Sequence, residues 1–163
     1  MPSVLRYWLM KTEPNCFSFA DMENAMNRVS PWDGVRNYQA RNFLRDEVGQ
    51  GDGVLIYHSG IAEPAIVGLA RVVRAGYPDP TALDPRARHF DPRATAQNPI
   101  WFQVDVQALA PLPEPLSRTA LQAHPLLRGM GVLRRGNRLS VQPVTAAEWR
   151  AVLETAGLTH LWS

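Results

Sequence analysis

Four short stretches gather the side chains of this chain that could do chemistry. Lys11, Thr12 and Glu13 stand together before Pro14. Residues 32–42 hold Trp32, Asp33, Gly34, Arg36, Asn37, Tyr38, Arg41 and Asn42 in one run. Tryptophan and tyrosine can stack on a nucleobase, asparagine can bond its edge, and arginine can hold phosphate. Tyr57, His58 and Ser59 form a third group, and Arg134, Arg135 and Arg138 flank Gly136 and Asn137 in a fourth. Three arginines so close together make a basic patch that suits a phosphodiester better than a free small molecule. Each stretch also has a plain structural alternative. Lys11 to Glu13 reads equally as a solvated strand end, and the arginine run as an exposed turn. Composition leaves Trp32 and Tyr38 at roughly even odds of being core pieces.

The elements that must position these residues follow from pattern. Residues 4–10 are apolar and aromatic, which predicts a buried first strand ending at Lys11. Ser18 and Asp21 make a capping-box start, with Met22, Ala25, Met26 and Val29 at helical spacing and Ser30-Pro31 as the stop. Residues 32–36 then form a loop around the turn dipeptide Asp33-Gly34, and Asn37 caps a second helix with Ala40, Phe43 and Leu44 inward. Two neighbouring central strands are predicted at 54–58 and 65–73, Gly68 marking a bulge or a close approach. Residues 77–99, rich in proline and charge, are expected to be an ordered surface excursion before a strand at 101–109. Ser117 opens a short helix limited by Pro125, residues 140–144 are a last strand, and Thr145 with Glu148 caps a final helix that ends at Gly157. Five or six strands among short helices, without a βαβ beat, predict an α+β barrel or bent sheet.

Bulk properties narrow the classes. The chain has 163 residues, 45% of them hydrophobic, and a formal net charge of +2. That suits one globular core, so residues 1–163 are read as one domain. The sequence pI near 9.0 permits a nucleic-acid partner without demanding one. Cys16 is the only cysteine, which rules out an internal disulfide and a cysteine-rich zinc site. No signal peptide or membrane span is legible, and a cytoplasmic, monomeric protein without membrane contact is expected. Phosphate-binding and dinucleotide glycine loops are missing, as are the zinc-deaminase and metalloprotease signatures. His58, His89, His124 and His160 follow no ligand spacing, so no metal or cofactor is expected. His58 and Ser59 are adjacent and would point to opposite faces of a strand, a poor geometry for nucleophilic catalysis. A hydrolase built on Glu13, Asp33 or Asp105 with His58 is the rival from another class, and a pocket for a free nucleotide-like metabolite is a further one.

Taken in order, Lys11 to Pro14, residues 32–42, Tyr57 to Ser59, Tyr77 to Asp79 and residues 134–144 resemble the signature segments of the EVE domain family, over nearly the whole chain. The resemblance implies a PUA-like mixed β-barrel similar to YTH domains, which hold a methylated adenine in an aromatic cage. It implies a non-catalytic module that reads a modified, flipped-out nucleobase in DNA or RNA, with modified cytosine the leading candidate. Thr12, Glu13, Trp32, Asn37, Tyr38, Tyr57, His58 and Ser59 would form the base pocket. Lys11, Arg36, Arg41, Arg134, Arg135 and Arg138 would meet the backbone. Three positions depart from the family pattern: Thr12 replaces a usual serine, 61–65 is an altered loop, and Arg71 stands where many members are acidic.

Overall fold

The computed structural model describes residues 4–162. Six strands form one mixed sheet: β1 Tyr7–Thr12, β2 Val29–Pro31, β3 Gly53–His58, β4 Ala65–Pro78, β5 Phe102–Ser117 and β6 Val141–Val144. Four short helices accompany them: α1 Phe19–Asn24, α2 Tyr38–Asn42, α3 Arg118–Ala123 and α4 Ala146–Ala156. The fold class is α+β. The strand order is β2-β5-β4-β3-β1-β6. β1 and β3 run parallel and the other neighbours are antiparallel. Among the described residues no ladder joins the edge strands β2 and β6.

Alternation along the strands divides the core in two. Trp8 and Met10 of β1 and Val54 and Ile56 of β3 enter one cluster with Phe19, Met22, Trp32, Ala40 and Leu44. Leu9, Leu55 and Tyr57 point the other way, into a cluster with Leu121, Trp149, Val152 and Leu153. A sheet covered on both faces accounts for the unbroken apolar run of β3. Capping follows the expected chemistry: Ser18 with Asp21 at α1, Asn37 at α2, Ser117 at α3, and Thr145 with Glu148 at α4. Gly157 closes α4 with φ 71°.

The first helix is shorter than its spacing predicts. α1 ends at Asn24, Ala25 is extended, and Asn27 and Arg28 take positive φ. Met26 is 85% exposed, and Val29 to Pro31, expected to end a helix, pair with β5 as an edge strand. Proline, with no N–H, is tolerated on such an edge. β1 lies later than predicted, because its parallel ladder to β3 carries it on to Thr12, opposite His58. β4 and β5 outrun their predicted ends through several register shifts. Residues 79–101 are ordered around a small core of Ala82, Ala94 and Trp101, whose Nε1 donates to Asp91 at 2.7 Å.

Gly68 serves both expected purposes. The β3–β4 and β4–β5 registers shift beside it, and a Cβ there would lie 2.3 Å from Phe19 Cε1. A Gly68→Ala variant is therefore expected to displace the Phe19 ring and lose about 1–3 kcal/mol of stability. Urea unfolding checks this: an unchanged midpoint would mean that the ring gives way freely.

Candidate functional site

The sheet delivers several elements to one side of β1, where they enclose a cavity of about 700 Å3. Lys11 and Thr12 come from the end of β1, and Cys16 and Phe17 from the turn after it. Ser30 and Pro31 belong to β2, Trp32 to Asn37 to the following loop, Arg88 and His89 to the excursion, and Ser140 to the approach to β6. The volume is that of an ordinary small-molecule or nucleoside site. Trp32 is only 6% exposed, so its ring is at once a core piece and a cavity wall. Phe17 meets it edge-on at 6.4 Å, and the backbone N–H of Trp32 donates to the Val104 carbonyl at 2.7 Å.

One buried carboxylate holds the wall in place. The Asp79 side chain has no exposed surface. It accepts from the Gly34 N–H at 2.9 Å, from Arg36 Nη1 at 3.0 Å, and from the Thr81 hydroxyl at 2.6 Å. Burial pushes its pKa up, but the bonds from Thr81, Gly34 and Arg36 outweigh that and hold it below the usual carboxylate value. Arg36 also donates to the carbonyls of Val35 and His89 and to Thr81. All five of its N–H groups are thereby engaged. The excursion presses so closely that a Cβ on Gly34 would lie 2.6 Å from the His89 ring.

The cavity is electrostatically mixed. Asp33 is raised, first by burial and then by the charge of Asp79, against the opposing pull of His89 and Arg36. Lys11 is lowered, first by burial and then by the charge of Arg118. Neither side chain joins an ion pair among the described residues. The Thr12 hydroxyl donates to the Phe17 carbonyl at 2.7 Å, and the Asn37 side-chain oxygen accepts from the Ala40 N–H at 3.0 Å. Thr12 retains acceptor capacity, and Asn37 retains its amide donors.

Of the residues expected in a base pocket, Thr12, Trp32 and Asn37 line this cavity, and Lys11 and Arg36 join them from the expected backbone contacts. The others lie elsewhere. Tyr57 is 2% exposed in the second core cluster, its hydroxyl unpartnered. His58 Nε2 accepts from the Phe19 N–H at 3.1 Å, and burial lowers its pKa, so it caps a helix as a neutral ring. The Glu13 carbonyl closes the turn to Cys16 and Phe17, and the Ser59 N–H bonds to the Thr12 carbonyl. Tyr38 stacks on Trp101 at 4.8 Å, with Arg41 over its ring at 5.0 Å and Arg36 over Trp101 at 5.3 Å. Arg41 also donates to the Ile100 carbonyl. Arg36 and Arg41 thus also tie segments of the chain together: every N–H of Arg36 has a protein acceptor, while Arg41 gives one bond from Nε to Asn42 and one from Nη1 to Ile100. Arg134, Arg135 and Arg138 are exposed outside the cavity lining.

Sequence reasoning missed Arg88, His89, Asp79 and Ser140 as makers of this wall. The available signals were that a long proline-rich excursion inside a compact domain is usually functional, and that Asp79 and Ser140 fall in segments resembling the family's signature. Of the rival hydrolase set, Asp105 accepts from the Tyr77 hydroxyl and His58 Nε2 from the Phe19 N–H. Among the described residues no cluster of metal-ligating side chains is present, and no helix is long and apolar enough to cross a membrane.

The chain is similar to several known proteins. The EVE domain family model matches residues 6–155. Thymocyte nuclear protein 1 of Danio rerio is 40% identical over 169 residues, covering 93% of this chain and 72% of that protein. A hypothetical protein from Leishmania major superposes with a TM-score of 0.88 at 43% identity, over 96% of this chain and 98% of that one. The human THYN1 protein, solved in complex with 5-methylcytosine containing DNA, gives 0.85 at 38% identity, over 93% and 97%. The YTH domain of the Zygosaccharomyces rouxii MRB1 protein shares the fold at 11% identity, with a TM-score of 0.52 over 95% and 88%.

The Asp79 clamp has a pH signature. Its folded pKa lies below the unfolded value of about 3.9. The native state therefore binds fewer protons, and the stability Asp79 contributes is present above that value and lost as pH falls through the folded one. Asp79→Ala, which leaves Arg36 without its buried partner, is expected to lose about 3 kcal/mol at neutral pH. Denaturation of both proteins from pH 7 downward should show the gap closing below about pH 4; a gap independent of pH would refute the assignment.

Proposed function

The chain belongs to the EVE domain family, and from that premise we propose that it is a nucleic-acid-binding module that takes a modified base into the cavity beside Trp32. The observation that carries this is the human relative, alike over nearly the whole chain and solved with 5-methylcytosine containing DNA. Modified cytosine in DNA is the first candidate, and RNA bearing a modified base is the alternative polymer. The cavity supports the reading on its own terms. It offers an aromatic wall, amide donors at Asn37, a cation at Lys11 and an acceptor at Asp33, which is the mixture that a base edge requires. Extracting a base from a duplex costs a few kcal/mol, which stacking and edge bonds must return.

The exposed Arg134, Arg135 and Arg138 are the backbone contacts of this reading, with Lys11 nearer the base. We read the protein as a monomeric binding module without catalysis. The family and its neighbours are binding modules, which supports this reading. The whole chain is read as one domain, its bent sheet as a PUA-like mixed barrel. That description of the sheet rests on the YTH-type neighbour and not on a ladder between β2 and β6.

The test is titration of matched oligonucleotides, plain and carrying 5-methylcytosine, at several salt concentrations. Tighter binding of the modified strand is expected, with affinity falling as salt rises. Arg138→Ala should weaken both strands alike. Trp32→Ala removes a stacking face worth about 1–3 kcal/mol, and Trp32→Phe keeps part of the packing should the alanine variant unfold. A folded Trp32 variant that binds as tightly as the parent would remove the cavity from the proposal. Binding without salt dependence would favour a free nucleotide-like metabolite.

A further inference from the structure

Among the described residues, Asp33 is the one carboxylate that lines the cavity. Asp79, behind the wall, is saturated by Gly34, Arg36 and Thr81. Asp33 lines the cavity itself, and among the described residues its side chain takes part in no hydrogen bond or ion pair with another residue. Around it the lining holds Lys11, Arg88, His89 and the amide donors of Asn37. The neutral acceptors are weaker or partly used, since the Asn37 oxygen already caps α2 and the Thr12 hydroxyl points its proton at Phe17.

A carboxylate offers only acceptors when ionised, so this part of the cavity suits a group that donates. Ionised aspartate accepts hydrogen bonds and cannot give them. Nucleobases differ in just this respect. Cytosine and adenine carry an exocyclic amino donor, where thymine and uracil present a carbonyl acceptor. Opposite a carbonyl, the carboxylate would face a second lone pair and neither group would be satisfied. Sites that bond a polar group reject the analogue lacking it far more strongly than apolar pockets reject a missing methyl.

We propose that Asp33 is the specificity-determining acceptor of the cavity, selecting a base with an exocyclic amino group over one with a carbonyl in its place. This rests on the base-reading function proposed above and adds which bases qualify. It separates 5-methylcytosine from thymine, two bases that share the ring methyl and differ at C4, amino against carbonyl, and at N3, a bare acceptor against an N–H. Asp33 keeps an exposed carboxylate at the cavity, and a ligand amino group would give it the donor that no neighbouring residue supplies.

The experiment uses single-stranded oligonucleotides identical except for one central 5-methylcytosine, cytosine or thymine, so that duplex pairing does not enter. Binding is measured for the parent, Asp33→Asn and Asp33→Ala, each verified as folded by its circular dichroism. The parent is expected to prefer 5-methylcytosine over thymine by about ten- to hundredfold, the range of one good edge contact. Asp33→Asn, which can turn an amide donor toward a carbonyl, should bring the two within about threefold or reverse them; Asp33→Ala should flatten the preference. If the parent prefers 5-methylcytosine over cytosine yet binds thymine equally well, base reading stands and the role of Asp33 falls. It falls likewise if Asp33→Asn keeps the full preference. Should the parent bind all three strands alike or none of them, the base-reading function fails and this inference fails with it.

Discussion

A carboxylate without exposed surface must have its charge answered inside the protein, and Asp79 imposes that requirement here. Its neighbours, the Gly34 N–H, the Arg36 guanidinium and Thr81, belong to two segments far apart in the chain. Satisfying one charge therefore ties the 32–37 loop to the excursion that follows β4. Arg36 completes the tie by gripping the His89 carbonyl through two nitrogens. The loop is also anchored by Trp32 and Val35 in the core, and this knot adds the excursion as the cavity's second wall. The mouth of the cavity is thus a by-product of an electrostatic constraint that lies just behind it.

The sheet supplies the other half of the construction. β1 and β3 run parallel at its centre, so their carboxyl ends, Thr12 and His58, arrive side by side. Core packing on both faces then decides what each may do. His58 is drawn to the start of α1, where its ring nitrogen accepts the Phe19 N–H, and Tyr57 is sealed into the second cluster. Lys11 and Thr12 are left to face the cavity. A second buried carboxylate, Asp52, secures the opposite end of β1 by accepting from Trp8 Nε1 and from the N–H groups of Arg6 and Gly49.

The basic residues divide by the same logic. Arg36 and Arg41 bracket a stacked pair, Trp101 on Tyr38, and help hold the excursion to α2. Guanidinium groups suit this duty because they stack and hydrogen-bond at once. The arginines after the Gly131–Leu133 turn carry no such burden. Their loop is held by Asn137, which bonds Gly131 and Gln142, and their charges stay in water. A small net charge can thus coexist with a local basic face, since the structural arginines are already neutralised or stacked.

What the sequence determined by itself was everything carried by short-range chemistry. Ser18 with Asp21, Asn37, Ser117 and Thr145 with Glu148 cap the helices they were expected to cap, because capping bonds span three residues and depend on little else. The apolar content of β3 and β4 marked them as neighbouring central strands, and their order in the sheet agrees. The shared motifs pointed to the EVE family. Tertiary structure decided the rest. The helical spacing after Met22 was overruled because β5 offered Val29 to Pro31 an edge to pair with, a long-range gain that local propensity cannot register. Trp32 could not be told from a core tryptophan by composition, since it is core and wall together. Arg36 and Arg41 read as free cations because the acceptors that engage them, at Asp79, His89 and Ile100, lie more than forty residues away. The cavity is made of contacts at that range, and a side chain's share in it depends on which partner the fold brings close first.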